Sequence, residues 1–343
     1  MVDLRRAALR TTTRLPRAAL RRIAGDPLEI DGNTLDLQMQ VVAAMAARRS
    51  GRTEPTPEGV REAFRAMTAT GSHRPVATVS VHDRTIPGPA GELPVRIYHP
   101  PAATGPAPAV VWFHQGGAVI GDLETDHSLC TTLSARAGAV IVSVDYRLGP
   151  EHRFPAAVDD ATAAHQWVLD HADGLGIDPT RVAVGGTSAG GTLSAVICQE
   201  RRNRGEPQPV AQILLYPGLD QTAEGGSRES CADCFPLSAA VVWFFGHHYL
   251  PDPSAAADLR ASPGLATELW GLAPALVVTA GFDPLRDEGD RYATALRGAG
   301  VEVRHRCEHS LTHSFTVFGG VCREARRAID RVADDVAAFL HPR

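Results

Sequence analysis

The sequence predicts an α/β fold, an eight-stranded, mostly parallel sheet with helices on both faces, and three observations carry that prediction. Short apolar runs bounded by turn residues recur near residues 76–81, 92–98, 109–114, 139–145, 181–185, 210–216, 275–280 and 301–307. Helical stretches separate most of the later runs, and alternation of that kind produces a parallel sheet buried on both faces. The third observation is the junction at Arg181-Val182-Ala183-Val184, a short β-branched strand that runs into Gly185-Gly186-Thr187-Ser188-Ala189-Gly190-Gly191. Leu193, Ala195, Val196 and Ile197 then suit a helix.

Taken in order, residues 1 to about 70 do not read like the sheet-bearing core. Arg5, Arg6, Arg10, Arg14, Arg17, Arg21 and Arg22 line a basic segment, and Leu35, Leu37, Met39, Val41, Val42 and Met45 follow with helical spacing. A basic amphipathic helix can rest on a membrane surface. The expectation here is instead a partly mobile arm followed by a helix packed over the functional site. The strand at 109–114 runs through Ala109-Val110-Val111-Trp112-Phe113 into His114-Gln115-Gly116-Gly117-Ala118. Paired glycines after a strand let backbone amides approach a ligand atom that side chains would block.

The junction at Ser188 is a tight turn of the form G-x-S-x-G, with Gly186 and Gly190 as the small residues two before and two after the serine. Such a turn projects Oγ into a cleft, while the N-terminal N–H groups of the new helix face developing negative charge. A serine hydroxyl is a weak nucleophile until an imidazole takes its proton, and a carboxylate must orient that imidazole. The strand Ala275-Leu276-Val277-Val278-Thr279-Ala280 ends at Gly281-Phe282-Asp283-Pro284-Leu285-Arg286-Asp287-Glu288. Asp283 therefore stands at a strand's carboxyl end, where open α/β sheets gather functional groups. Asp287 and Glu288 fall in a first helical turn, where acidic residues suit the dipole, and they are expected to cap and face solvent. Of the 14 histidines, His305 lies on the alternating strand Val301–Cys307, and His309 and His313 follow it. A last helix is expected at about 319–340.

These landmarks resemble the hormone-sensitive-lipase-like family of α/β-hydrolase esterases from about residue 75 to the end. The His114 loop is similar to that family's HGGG loop, with Gln115 where the first glycine usually stands. The elbow resembles its GTSAG branch, with Thr187 where many members carry Asp. Ile120–Thr125, Asp145–Glu151 and Phe154–Ala157 also look like family landmarks. Asp126-His127 is inverted relative to the usual His-Asp order, and neither residue is assigned a role. The resemblance implies an α/β-hydrolase fold and a triad of Ser188, Asp283 (from the D-P-L-R-D-E motif) and His313, where Ser314 replaces the glycine of H-G-F. It implies an oxyanion hole made by the amides of Gly116, Gly117 and Ala189, with His114 holding the loop. Ala118, at a position typically aromatic, is expected to widen the pocket, and Asp145, Arg147 and Glu151 to form one structural ion-pair cluster. Residues 1–70 read as N-terminal arm and cap helices, 71–220 and 264–343 as the catalytic core, and 221–263 as a second cap insertion. Within that insertion Trp243 and Phe244 are candidate substrate contacts.

Bulk properties exclude other classes. A formal charge of −5 disfavours nucleic acid as a partner. No apolar stretch approaches the ~20 residues that span a bilayer, and no hydrophobic h-region follows Arg5-Arg6, so cytoplasmic residence is the default expectation. Six cysteines in 343 residues do not make a disulfide scaffold, and Cys231-Ala232-Asp233-Cys234 lacks the second pair of a zinc site. No metal or organic cofactor is expected. The function implied is a serine carboxylesterase acting on small, short- to medium-chain esters, and dimers are common in the family, so a homodimer is an expectation too. Acyl transfer or amide hydrolysis on the same triad, and a non-catalytic small-molecule receptor, are the rival readings.

Overall fold

The structure, a computed structural model, describes residues 2–48, 55–101 and 105–341. Its central sheet contains β1 (Ser80–Gly88), β2 (Gly91–His99), β3 (Ala107–Phe113), β4 (Val140–Val144), β5 (Ile177–Thr187), β6 (Gln212–Leu215), β7 (Ala275–Phe282) and β8 (Val303–Thr312). Their spatial order is β8-β7-β6-β5-β3-β4-β2-β1. Strands β3 to β8 run parallel, and β2 is antiparallel to both β1 and β4. The helices are α1 (Val2–Thr13), α2 (Arg17–Ala24), α3 (Leu37–Ala47), α4 (Pro57–Gly71), α5 (His127–Ala137), α6 (Ala156–Asp170), α7 (Ala189–Asn203), α8 (Ser227–Ser230), α9 (Ala239–Tyr249), α10 (Arg286–Gly298) and α11 (Arg323–Leu340).

Every residue of β3, β4, β6 and β7 is buried, which is why those strands read as predominantly apolar runs, with Ser143, Gln212 and Thr279 as buried polar residues within them. Alternate residues feed two cores. Val111, Val142, Val184, Leu214 and Val277 pack with α6, α7 and α10, whereas Val110, Ile141, Ala183, Ile213 and Val278 pack with α5 and α11. Each large apolar side chain so buried contributes about 2 kcal/mol. α11 supplies its share through Ala325, Ala328, Ile329, Val332, Val336 and Leu340, a stripe at helical spacing.

Three expectations about elements change. The first strand begins at Ser80, not at residue 76, because Val76 to Val79 close a turn in which Val79 N–H donates to Val76 O. β1 is an edge strand exposed along most of its length, so it carries polar residues, and Pro87 costs the ladder nothing there. The last strand extends past 307 to Thr312, because it stays paired with β7 through Thr312 and Phe282. Third, of the cap helices expected in 1–70, only the stretch from Leu35 to Met45 was given residues, and α4 forms outside it. Its start is marked by Thr56, whose hydroxyl accepts from Gly59 N–H at 3.2 Å, and by Pro57 at the first helical position.

The basic N-terminal segment forms α1 and α2, and these pack on α3 and α4; the side chain of Arg5 lies outside the described residues. Gln38 Nε2 donates to Thr13 O at 2.6 Å and Arg10 Nη2 to Ser72 O at 3.3 Å. Asp36 caps α3 by accepting from the N–H groups of Gln38 and Met39. The insertion between β6 and β7 contributes α8 and α9. No helix among the described residues is long and apolar enough to cross a membrane.

Asp145, Arg147 and Glu151 do not form one cluster. Arg147 pairs with Asp160 at 2.8 Å, Glu151 with Arg61 of α4 at 2.7 Å, and Asp145 lies 3.9 Å from His114. Sequence neighbours on an irregular loop point to different layers, so each finds its partner on another element.

Two buried histidines give the fold a pH dependence. Burial pushes His73 down to about 4 and His165 to about 3. A folded-state value below the unfolded one, about 6.5, means stability is full above pH 6.5. It is then lost as pH falls toward 4 and then 3, at about 1.4 kcal/mol per pH unit for each group. The buried histidines and a buried carboxyl raised in the fold act in opposite directions on acidification, so the histidine contribution is read as a difference. Between pH 7 and pH 5 the urea midpoint of the parent should fall relative to that of His165→Gln. An equal change in the two proteins would contradict this origin.

Candidate active site

Strand pairing sets the site. Phe113 of β3 and Gly186 of β5 are register partners, so the loop after β3 emerges beside the turn after β5. Thr312 of β8 and Phe282 of β7 are also partners, so the next residues, His313 and Asp283, emerge side by side. All four loops open at the carboxyl ends of parallel strands.

Ser188 has φ 52° and ψ −116°, a conformation L residues adopt only when the surroundings impose it. Its N–H donates to Leu215 O at 2.8 Å, and α7 starts at the next residue. A Cβ at Gly186 would strike the backbone of Gly190, and one at Gly190 would strike Phe113 O. That contact is the physical reason for small residues on either side of the serine.

His313 Nε2 lies 3.0 Å from Ser188 Oγ, and His313 Nδ1 lies 2.7 Å from Asp283 Oδ2. Asp283 is fully buried, and its Oδ1 accepts from Leu285 N–H at 2.8 Å. The Tyr216 ring meets His313 edge-on at 4.9 Å and holds the imidazole from the side. Ser314, in the place of the family's glycine, has φ 58°, the left-handed region in which glycine is unstrained. The two rival histidines are elsewhere: His305 is bound to Asp290 at 2.8 Å, and His309 Nδ1 lies 3.0 Å from Asn33 Oδ1.

Gly116 and Gly117 have φ of 132° and 60°, and Gln115 is not among the positive-φ residues. The N–H groups of Gly116, Gly117 and Ala189 donate to no other group among the described residues. His114 is fully buried, with Nδ1 2.8 Å from Gln115 O, while its own carbonyl accepts from Tyr146 Oη at 2.7 Å. It braces the loop from beneath.

Ser188 lines two cavities. The larger, about 220 Å3, is bounded by Phe64 and Met67 of α4, Phe235, Val241, Phe245 and His313. The smaller, about 60 Å3, is bounded by Ala118, Ala189, Leu193, Gly218, Arg228 and Tyr249. Ala118 thus lines the smaller one, and Phe245 lies against Gly117. Trp243 and Phe244 line neither. Trp243 is 67% exposed and stacks on His247, and Phe244 is buried against His248. The aromatic run points Phe245 and Tyr249, four residues apart, toward the serine. Val60, Ala63, Phe64 and Met67 were missed, although their i, i+3, i+4, i+7 spacing was readable.

Glu288 is not a solvated cap. It is buried behind Arg228, a lining residue of the smaller cavity, with which it pairs at 2.8 Å, and it accepts from Leu219 N–H at 2.7 Å. Burial pushes its carboxyl up to about 7 despite the guanidinium. Asp126, given no role by the sequence, is also buried, and burial raises its carboxyl above the usual range against the hydrogen bonds it accepts. No group of His, Cys, Asp and Glu that could hold a metal occurs among the described residues, and Cys231 and Cys234 are buried and free.

The profile of the alpha/beta hydrolase fold family matches residues 110–317. The chain is 46% identical over 300 residues to the carboxylic ester hydrolase LipN of Mycobacterium tuberculosis, covering 85% of this chain and 80% of that one. It is 40% identical to esterase LipI of the same organism, covering 83% of this chain and 89% of that protein. Among solved structures, an ester hydrolase from the metagenome of Lake Arreo superposes with a TM-score of 0.85 at 38% identity, over 89% of this chain and 98% of that one. The hyperthermophilic esterase of Pyrobaculum calidifontis does so with a TM-score of 0.82 at 38% identity, again over 89% and 98%.

Proposed function

The chain belongs to the α/β-hydrolase family, in its hormone-sensitive-lipase-like branch, and from that premise we propose that it is a serine carboxylesterase working through an acyl-enzyme. The observation that carries the reading is the line of hydrogen bonds from Asp283 through His313 to Ser188, 2.7 and 3.0 Å, beside three amides that donate to no other group among the described residues. Ser188 Oγ attacks the ester carbonyl as its proton passes to His313 Nε2. The carbonyl oxygen becomes an oxyanion held by the N–H groups of Gly116, Gly117 and Ala189, each contact contributing about 3 kcal/mol in the transition state. Asp283 keeps the imidazole in the tautomer that can accept at Nε2 and stabilises the imidazolium. Collapse returns the proton from Nε2 to the departing alkoxide, which leaves as the alcohol. Water then gives a proton to His313, attacks the acyl-enzyme, and releases the acid with Ser188 restored.

The two cavities divide the substrate. The leaving oxygen must reach His313 Nε2, and His313 lines only the larger cavity, so the alcohol occupies that side. The acyl group then points past Ala189 into the smaller cavity, which favours short acyl chains over long ones. The substrate is thus a small-molecule ester with a compact acid and a roomier, apolar alcohol. Two ester series test this: p-nitrophenyl acetate to decanoate, and acetates of alcohols of growing size. kcat/KM should fall beyond a short acyl chain and hold or rise with alcohol size. The absence of turnover in both series would overturn the esterase reading. A preference for long acyl chains with small alcohols would overturn only the assignment of the cavities.

A further inference from the structure

Three of the residues at which the chain departs from the pattern it resembles, Gln115, Asp126 and Thr187, meet at one point. Thr187 Oγ1 donates to Asp126 Oδ2 at 2.6 Å, Trp112 Nε1 donates to the same oxygen at 2.9 Å, and Gln115 Nε2 donates to Oδ1 at 3.3 Å. Asp126, at 2% exposure, forms no ion pair among the described residues, so these donors are what its carboxyl is bound by. Thr187 directly precedes the serine, and Gln115 directly precedes Gly116. Thr187 ends β5 and Gln115 lies in the loop after β3, and this side chain ties the two together beyond their strand pairing.

We propose that Asp126 is a positioning residue that holds the nucleophile turn and the oxyanion loop in mutual register. It touches no reacting atom. Its effect runs through the backbones of Thr187–Ser188 and Gln115–Gly116, whose spacing sets how well the amides meet the oxyanion when Oγ is bonded to carbon. An error of about 1 Å in such an arrangement can cost ~100-fold in rate. Deleting the side chain would leave a hydroxyl, an indole N–H and an amide without a partner in a buried place, and the loops would settle apart.

The inference rests on the esterase reading, so its test compares variants with the active parent enzyme. With a short-chain p-nitrophenyl ester, Asp126→Ala should lower kcat by about 10- to 100-fold while KM stays within about twofold, because binding of the ground-state ester does not need the amides. Asp126→Asn should recover most of that loss. Its carbonyl can accept from Thr187 and Trp112, and its amide can donate to Gln115 Oε1, which has no partner among the described residues. Thr187→Val should reproduce the loss and Thr187→Ser should not, a pair that decides the matter even if Asp126→Ala fails to fold. Thr187→Asp sets a second carboxylate against Asp126, and Asp126→Asn in that background should relieve the loss. Unchanged kcat in both Asp126→Ala and Thr187→Val would overturn the proposal, as would a loss in Asp126→Ala that Asp126→Asn does not recover. An inactive parent would instead overturn the esterase reading.

Discussion

Replacing Ser188 by alanine is expected to lower kcat for a p-nitrophenyl ester by about 10^5- to 10^6-fold, the scale at which removing an activated serine leaves only binding and oxyanion stabilisation. The variant should fold as the parent does. Alanine is no more strained than serine at φ 52°, and the small residues that permit the turn are untouched. The thermal midpoint and the circular-dichroism spectrum are therefore the controls. Stoichiometric labelling of the parent by an organophosphonate, traced by mass spectrometry to the peptide holding Ser188 and absent from the variant, would complete the result. Turnover undiminished in Ser188→Ala would remove this residue as nucleophile and with it the acyl-enzyme.

Asp283→Asn should cost about 10^4-fold in kcat while leaving the heavy-atom arrangement almost unchanged. The direction follows from what surrounds the carboxylate. Leu285 N–H points at Oδ1, and a backbone donor requires an acceptor, so the asparagine carbonyl must sit there. The side-chain NH2 then faces His313 Nδ1, which is forced to accept. The imidazole proton moves to Nε2, where it points at Ser188 Oγ and cannot take the serine proton. Asp283→Ala removes this constraint along with the carboxylate, so its loss need not exceed that of the isosteric variant. A decrease of less than tenfold in Asp283→Asn would mean that His313 gets its orientation elsewhere, with Tyr216 as the neighbour to test next.

Much of the site was legible before any coordinates. Gly186, Ser188 and Gly190 sit at a strand-to-helix junction, and the tightness of that turn demands their spacing in the chain itself. The buried strands were legible for the same kind of reason, since a strand covered on both faces is apolar along most of its length. What failed was whatever depends on partners remote in sequence. β1 is exposed and polar, so its apolar signal was weak and its start was misplaced. Asp145, Arg147 and Glu151 looked like one cluster because they lie close in the chain, but their partners sit on other elements. Glu288 looked like a solvated first-turn acid, but Arg228 of α8, remote in sequence, pairs with it in a buried place. In α9 the choice among Trp243, Phe244 and Phe245 depends on how the helix is rolled against the core, and only Phe245 turns to the serine.

The sequence by itself determined the parallel sheet, the strained serine turn and the glycine loop, because each follows from local sterics and burial within a few consecutive residues. Only the tertiary structure decided that Asp126 binds Thr187 and Gln115, which cavity His313 opens onto, and which aromatic residue faces the nucleophile. Those outcomes depend on strand order and helix packing, which bring together side chains separated by tens to more than a hundred residues, and no pattern in the chain records their distances.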